Sequence, residues 1–166
     1  GFNNNNYYPA AAVPGAMNPN QGIEQRTTMG IGAGIIVSQK GYILTSYHLI
    51  AGYKEVEVSV FTPNGTKILA GQVISQAANM DLALIQVDPI QAGVELTSLA
   101  SGNSDNLKVG DQVLALGNPF GLAQTVTSGI VSSIRQKINI QGHILFDVIQ
   151  TDASINEVNS GGPLIN

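Results

Sequence analysis

Residues 55–75 read EVEVSVFTPNGTKILAGQVIS, and this stretch decides the class of fold. From Val56 to Phe61 apolar and polar side chains alternate, the period of a strand with one face buried. Pro63-Asn64-Gly65 is a strong turn signal, and Lys67–Ser75 returns as the partner run of a hairpin. Working outward, Gly34–Val37 is followed by a turn at Gln39-Lys40-Gly41 and then Tyr42–Thr45. Leu82–Val87 is apolar apart from Gln86, as a buried strand would be. Further runs follow at Gln112–Leu116, Thr125–Ile134, Ile138–Gln141 and Leu145–Gln150. Only His48–Gly52 and Ser104–Leu107 look helical, and neither is long enough for a crossover. Strands at this spacing without crossover helices indicate an all-β barrel or sandwich. No repeat recurs at a solenoid or propeller period.

The chain has 166 residues, enough for one domain with a real core. It is 43% hydrophobic and only 11% charged, which excludes coiled coils and a generally disordered chain. The net charge is −4 and no basic block occurs, so nucleic-acid backbone binding is excluded as well. The absence of cysteine removes disulfides, a thiolate nucleophile, cysteine zinc sites and iron–sulfur clusters. Residues 1–26 differ from the rest, with six Asn, three Pro and no charge before Glu24. That composition reads as a flexible tether, leaving 27–166 as the folded domain. The uncharged stretch 1–23 is polar and broken by Pro, so it is no membrane span. A chain beginning at Gly1 is expected to be a processed product or a piece of a longer one.

Three residues carry potential chemistry. Ser160 stands in Asn159-Ser160-Gly161-Gly162-Pro163, where small neighbours leave a hydroxyl exposed and give a substrate carbonyl room. Alone, the same letters occur in flexible loops. His48 follows the apolar run Tyr42–Thr45 and suits either a general base at a strand end or a hydrogen-bonded core residue. Asp81 opens the apolar run Leu82–Val87, where a carboxylate is costly to bury unless paired; orienting a histidine would pair it, facing solvent would not. Together they are far more specific, because the order His, Asp, Ser is that of the chymotrypsin arrangement.

At this point the sequence resembles the HtrA/Deg family of trypsin-like serine proteases, from about Met29 to Asn166. The resemblance rests on Gly32–Val37, Gly41–His48, Asp81–Ile85, Ala115–Gly121, Thr125–Ser132, Ile149–Asn156 and Asn159–Asn166, in that order. It implies a chymotrypsin-like double β-barrel, the first barrel over about 27–100 and the second over about 108–166, with the active site between them. It implies His48 as general base, Asp81 as its orienting carboxylate and Ser160 as nucleophile. The oxyanion hole would be the backbone N–H groups of Val158 and Ser160, and Ile155 would line the S1 pocket. The family acts without ATP on misfolded or specific protein and peptide substrates, with neither cofactor nor metal. It implies a homo-oligomer, by resemblance a trimer, with a PDZ domain downstream. Location would be the bacterial periplasm or envelope, with a membrane tether upstream.

Two departures stand against the family pattern. Val158 occupies a position where the family has glycine, and the chain stops at Asn166, two strands before the second barrel would close. A second function class therefore stays open, a catalytically impaired relative that keeps the barrel as a partner- or metal-binding scaffold, as magnetosome-associated members do. Asp152 matches a family motif outside the triad and reads as structural. His143 lies in Asn139–Ile144, within what resembles a regulatory loop, and with only two histidines gives no metal-ligand spacing. Tyr7 and Tyr8 read as solvated. Gly117–Gly121 lacks the Lys and the following helix of a phosphate loop.

Overall fold

The computed structural model describes residues 10–13, 32–117, 125–140 and 143–166. The hairpin of 55–75 is present as β4 (Glu55–Thr62) and β5 (Gly65–Ala77). The two pair in register from Glu55↔Gln72 to Thr62↔Gly65, which leaves Pro63-Asn64 as the loop. The Thr62 hydroxyl donates to the Gly65 carbonyl at 2.7 Å and accepts the Asn64 N–H at 3.3 Å. Gly65 closes the turn at φ 109, a conformation that a side chain would strain. The period-two pattern puts Val56, Val58 and Val60 in the core, and Ser59 of the opposite face is buried as well.

With β1 (Ala10–Val13), β2 (Gly32–Ser38), β3 (Tyr42–Ser46) and β6 (Leu82–Val87) the hairpin forms a closed barrel in the order β1-β2-β3-β6-β5-β4. Its interior is filled by Ile36, Ile43, Val58, Ile85 and Val87, joined by Ile50 from the single-turn helix α1 (Tyr47–Ile50). Gly71 is small because a Cβ there would stand 2.7 Å from the Ile85 side chain and 3.0 Å from that of Val58.

One boundary needs correction. Ala10–Val13 falls inside the segment read as a tether, yet its backbone pairs with β2 (Ala12↔Ala33) and with β4 (Ala11↔Val60) and closes the barrel. Five strands alone would leave β2 and β4 with unpaired edges, and backbone groups satisfy them without any side-chain pattern. The remainder of 1–26 lies outside the described residues, Tyr7 and Tyr8 included.

The second unit is a curled four-stranded sheet in the order β10-β7-β8-β9, built from β7 (Gln112–Gly117), β8 (Thr125–Ile140), β9 (His143–Thr151) and β10 (Leu164–Ile165). Among the described residues the fold is thus all-β, with one closed barrel and one open sheet, in keeping with the double barrel that the resemblance implies. The sequence divides β8 in two because Arg135-Gln136-Lys137 interrupts the apolar pattern, whereas the structure runs one irregular strand through it. Its register shifts repeatedly between Val131 and Ile138, and Arg135 and Asp147 both take φ 55. The Arg135 guanidinium reaches Asp105 in the inter-barrel connection and lies 3.8 Å from Asp147, while the Lys137 ammonium stands 5.2 Å from the Phe146 ring centre.

Candidate active site

His48 sits in α1, immediately after β3, and Asp81 immediately before β6. Strands β3 and β6 pair through Ser46↔Leu82, so their ends bring the two residues together. Both carboxylate oxygens of Asp81 then serve the same histidine. Oδ1 accepts the His48 backbone N–H at 2.9 Å, and Oδ2 lies 2.8 Å from the ring Nδ1. The Asp81 carbonyl accepts the Tyr47 N–H at 3.0 Å. An ionised carboxylate only accepts, so Nδ1–H is the donor of this pair, and in the neutral ring that arrangement places the lone pair on Nε2, the tautomer a general base requires. Asp81 caps the 3-10 turn Ala78–Met80 in the left-handed region, φ 53 and ψ 38, which Asp tolerates better than most residues. The side chains are 55% and 35% exposed, so the histidine is open to an incoming substrate rather than sealed in the core.

Ser160 ends the 3-10 turn Glu157–Asn159 of the second unit. Its carbonyl accepts the Ala33 N–H of β2 at 2.8 Å. A Cβ on Gly161, which has φ +81, would stand 2.2 Å from the Ala33 carbonyl oxygen and 2.5 Å from Thr45 Oγ1. One on Gly162 would stand 2.1 Å from the Leu116 carbonyl oxygen. Gly161 lets the segment press into the first barrel beside the end of β3, the strand that leads to His48, and Gly162 lets it lie against β7. Among the described residues no hydrogen bond joins Ser160 to His48. In a resting enzyme that contact is often long and tightens when substrate arrives.

The two N–H groups assigned to an oxyanion hole are both occupied from within. The Val158 N–H donates to Asn156 Oδ1 at 3.2 Å, and the Ser160 N–H to the Glu157 carbonyl at 3.3 Å. Asn159 completes a reciprocal cap: its Oδ1 accepts the Asn156 N–H at 3.0 Å, and its Nδ2 donates to the Ser154 carbonyl at 2.9 Å. Val158 is not among the residues at positive φ, so the β-branched side chain rests unstrained. The roles of Asn156 and Asn159 were missed from sequence. Their signal was present, since Asn-x-x-Asn has the spacing of a capping box.

Ile155 is 59% exposed, one residue before the Asn156 cap, and is not packed into the core. Asp152 is structural, its Oδ1 accepting the Ile130 N–H at 2.7 Å. The backbone of His143 opens β9 opposite Ile140. Residues 118–121 lie outside the described residues.

Known proteins share this architecture and these motifs. Residues 32–166 match the model of the trypsin-like peptidase domain. The chain is 41% identical over 140 residues to the magnetosome formation protease MamE of Magnetospirillum gryphiswaldense, covering 84% of this chain and 18% of MamE. It is 44% identical over 139 residues to the periplasmic pH-dependent serine endoprotease DegQ of Escherichia coli, covering 82% of this chain and 29% of DegQ. The chain thus spans less than a third of the length of these curated relatives. Among solved structures, Deg5 superposes with TM-score 0.77 at 30% identity, over 95% of this chain and 74% of the other. The HtrA-type protease AlgW, solved with a tripeptide, gives 0.76 at 33%, over 95% of this chain and 47% of its own. Sequence and three-dimensional likeness agree, and the chain belongs to the trypsin-like peptidase family, in its Deg/HtrA branch.

Proposed function

We propose that this chain is the catalytic unit of an HtrA-type serine endopeptidase that rests in a latent state. The observation that carries the reading is the double grip of Asp81 on His48, next to the docked segment that ends in Ser160. In the reaction, His48 Nε2 takes the proton of Ser160 Oγ as that oxygen attacks the scissile carbonyl. Asp81 holds the ring and stabilises the imidazolium that forms. His48 then passes the proton to the leaving amine as the C–N bond breaks and an acyl-enzyme remains. Water, activated by the same Nε2, attacks the ester and frees Ser160.

The tetrahedral oxyanion needs the N–H groups of Val158 and Ser160, which at rest donate to Asn156 and Glu157. Each oxyanion donor contributes roughly 2.7–4 kcal/mol of transition-state stabilisation, so the closed turn alone accounts for latency. Substrate opens the turn by binding the open form better. Ile155, with its side chain exposed, would meet a small apolar P1 side chain. DegQ carries the word periplasmic in its name, and we assign the same compartment and protein substrates here. No helix among the described residues is long and apolar enough to cross a membrane. Assembly as a trimer, tethering upstream and a PDZ domain downstream belong to the same reading.

A serine-directed fluorophosphonate probe tests it. The expected result is labelling of the Ser160 peptide, slow in the parent and absent in Ser160→Ala. Modification at another serine, or peptidase activity unchanged in Ser160→Ala, would refute the assignment. The closed turn also favours a second reading, a protease fold retained as a scaffold. Val158→Gly separates the two: a latent enzyme is labelled faster once glycine frees the turn, whereas a scaffold stays unlabelled.

A further inference from the structure

We infer that Thr45 is a positioning residue for the acyl transfer, a buried hydroxyl that fixes the gap in which the Ser160 segment is seated; this rests on Ser160 being the nucleophile. Strands β2 and β3 pair from Ser38↔Tyr42 through Ile36↔Ile43 to Ile35↔Leu44, and on the side toward Ala33 their ladder stops there. Beyond it Ala33 turns its N–H and its carbonyl toward the space between the strand ends. The N–H donates to the Ser160 carbonyl at 2.8 Å, and the carbonyl accepts the Thr45 hydroxyl at 2.7 Å. The Ala33–Ser160 bond is the one backbone hydrogen bond from a first-barrel strand to the Ser160 segment among the described residues.

Gly161 shows how tight the seat is. A Cβ there would lie 2.2 Å from the Ala33 carbonyl oxygen, 2.5 Å from Thr45 Oγ1 and 3.1 Å from the Ser46 N. The segment is therefore wedged between β2 and β3, and Thr45 spans the opening in place of the missing ladder bond. Thr45 is also only three residues before His48 on the same chain segment. One side chain thus sets the position of Ser160 through Ala33 and stands at the end of β3, which leads directly into α1 and the base that must reach Ser160 Oγ. Thr45 is 1% exposed, so no water replaces its hydroxyl if it is removed.

Thr45→Val keeps the shape and removes the donor, and Thr45→Ser keeps the donor. Native-state amide exchange at Ala33 reads the seat without any need for activity. In Thr45→Val it should rise about tenfold or more relative to the amides of Val58 and Ile85. In turnover of a fluorogenic peptide, kcat should fall about 10- to 100-fold with KM within about twofold, the size of effect a misplacement near 1 Å produces. Thr45→Ser should restore both to within about threefold of the parent. A core variant on β4, Val58→Ala, controls for lost stability. Unchanged Ala33 exchange in Thr45→Val would overturn the inference, as would a fall in kcat no larger than that of Val58→Ala. A parent that the fluorophosphonate probe does not label at Ser160 refutes the nucleophile assignment, and Ala33 exchange still decides whether Thr45 holds the segment.

Discussion

Replacing Gly161 by Ala tests whether the glycine after Ser160 is required by conformation, by close approach, or by both. Its φ of +81 lies in the left-handed region, where an L side chain costs about 1–2 kcal/mol. The added methyl also has no room, at 2.2 Å from the Ala33 carbonyl oxygen and 2.5 Å from Thr45 Oγ1. Backbone cannot yield as a flexible side chain does, and overpacking of this kind costs about 1–3 kcal/mol. The two effects together predict a loss of about 2–5 kcal/mol. For a domain of this size that lowers the melting temperature by about 4–20 °C. Two further variants separate the causes. Gly110→Ala adds a Cβ at φ +95 with nothing within 4 Å and isolates the backbone strain. Gly162→Ala, not at positive φ but with the Leu116 carbonyl oxygen at 2.1 Å, isolates the crowding. Thermal and urea unfolding followed by far-ultraviolet circular dichroism give the three values. The expected order places Gly161→Ala as the most destabilised, near the sum of the other two. A Gly161→Ala protein that melts with Gly110→Ala would show that the segment is not wedged between β2 and β3, and the seating of Ser160 would need another explanation.

Asp81→Asn should preserve the melting temperature to within a few degrees, because Asn accepts the His48 N–H and tolerates the same left-handed backbone. Its NH2 group facing Nδ1 selects the wrong tautomer, and kcat should fall by about 10⁴; a loss under tenfold would remove Asp81 from the proposed mechanism. Deleting residues 1–13 removes β1 and exposes edges on β2 and β4. The melting temperature should drop and the β2 and β4 amides that face β1 should exchange faster, and identical melts and exchange would return Ala10–Val13 to the tether.

Much of this fold was legible one residue at a time. Alternation at Val56–Phe61 and the Pro63-Asn64-Gly65 turn place β4 and β5, and the run Leu82–Val87 gives the bounds of β6, although that strand buries only Ala83, Ile85 and Val87 and leaves Leu82 exposed. These features were readable because side-chain direction alternates along a strand and burial follows it. A four-residue strand such as Ala10–Val13 has no room to display a period, and its place is set by pairing with β2 and β4. The polar interruption at Arg135-Gln136-Lys137 concealed the continuity of β8, since a bulged strand carries on through residues that break the pattern.

The candidate site divides along the same line. The residue types and their order were in the sequence: a serine before two glycines, a histidine after a strand, and a carboxylate before an apolar run. That the carboxylate meets this histidine depends on the β3–β6 register, because Ser46↔Leu82 brings level the two strand ends from which His48 and Asp81 project. The seating of Ser160 depends on Ala33 and Thr45, which are far from it along the chain and adjacent to it only once the barrel has closed. The closed turn at Glu157–Asn159 likewise engages the Val158 and Ser160 N–H groups with near neighbours, the groups for which a substrate would compete in the proposed mechanism. Sequence supplied the donors and acceptors; which of them pair is decided by distances that exist only when strands far apart in the chain have been brought side by side.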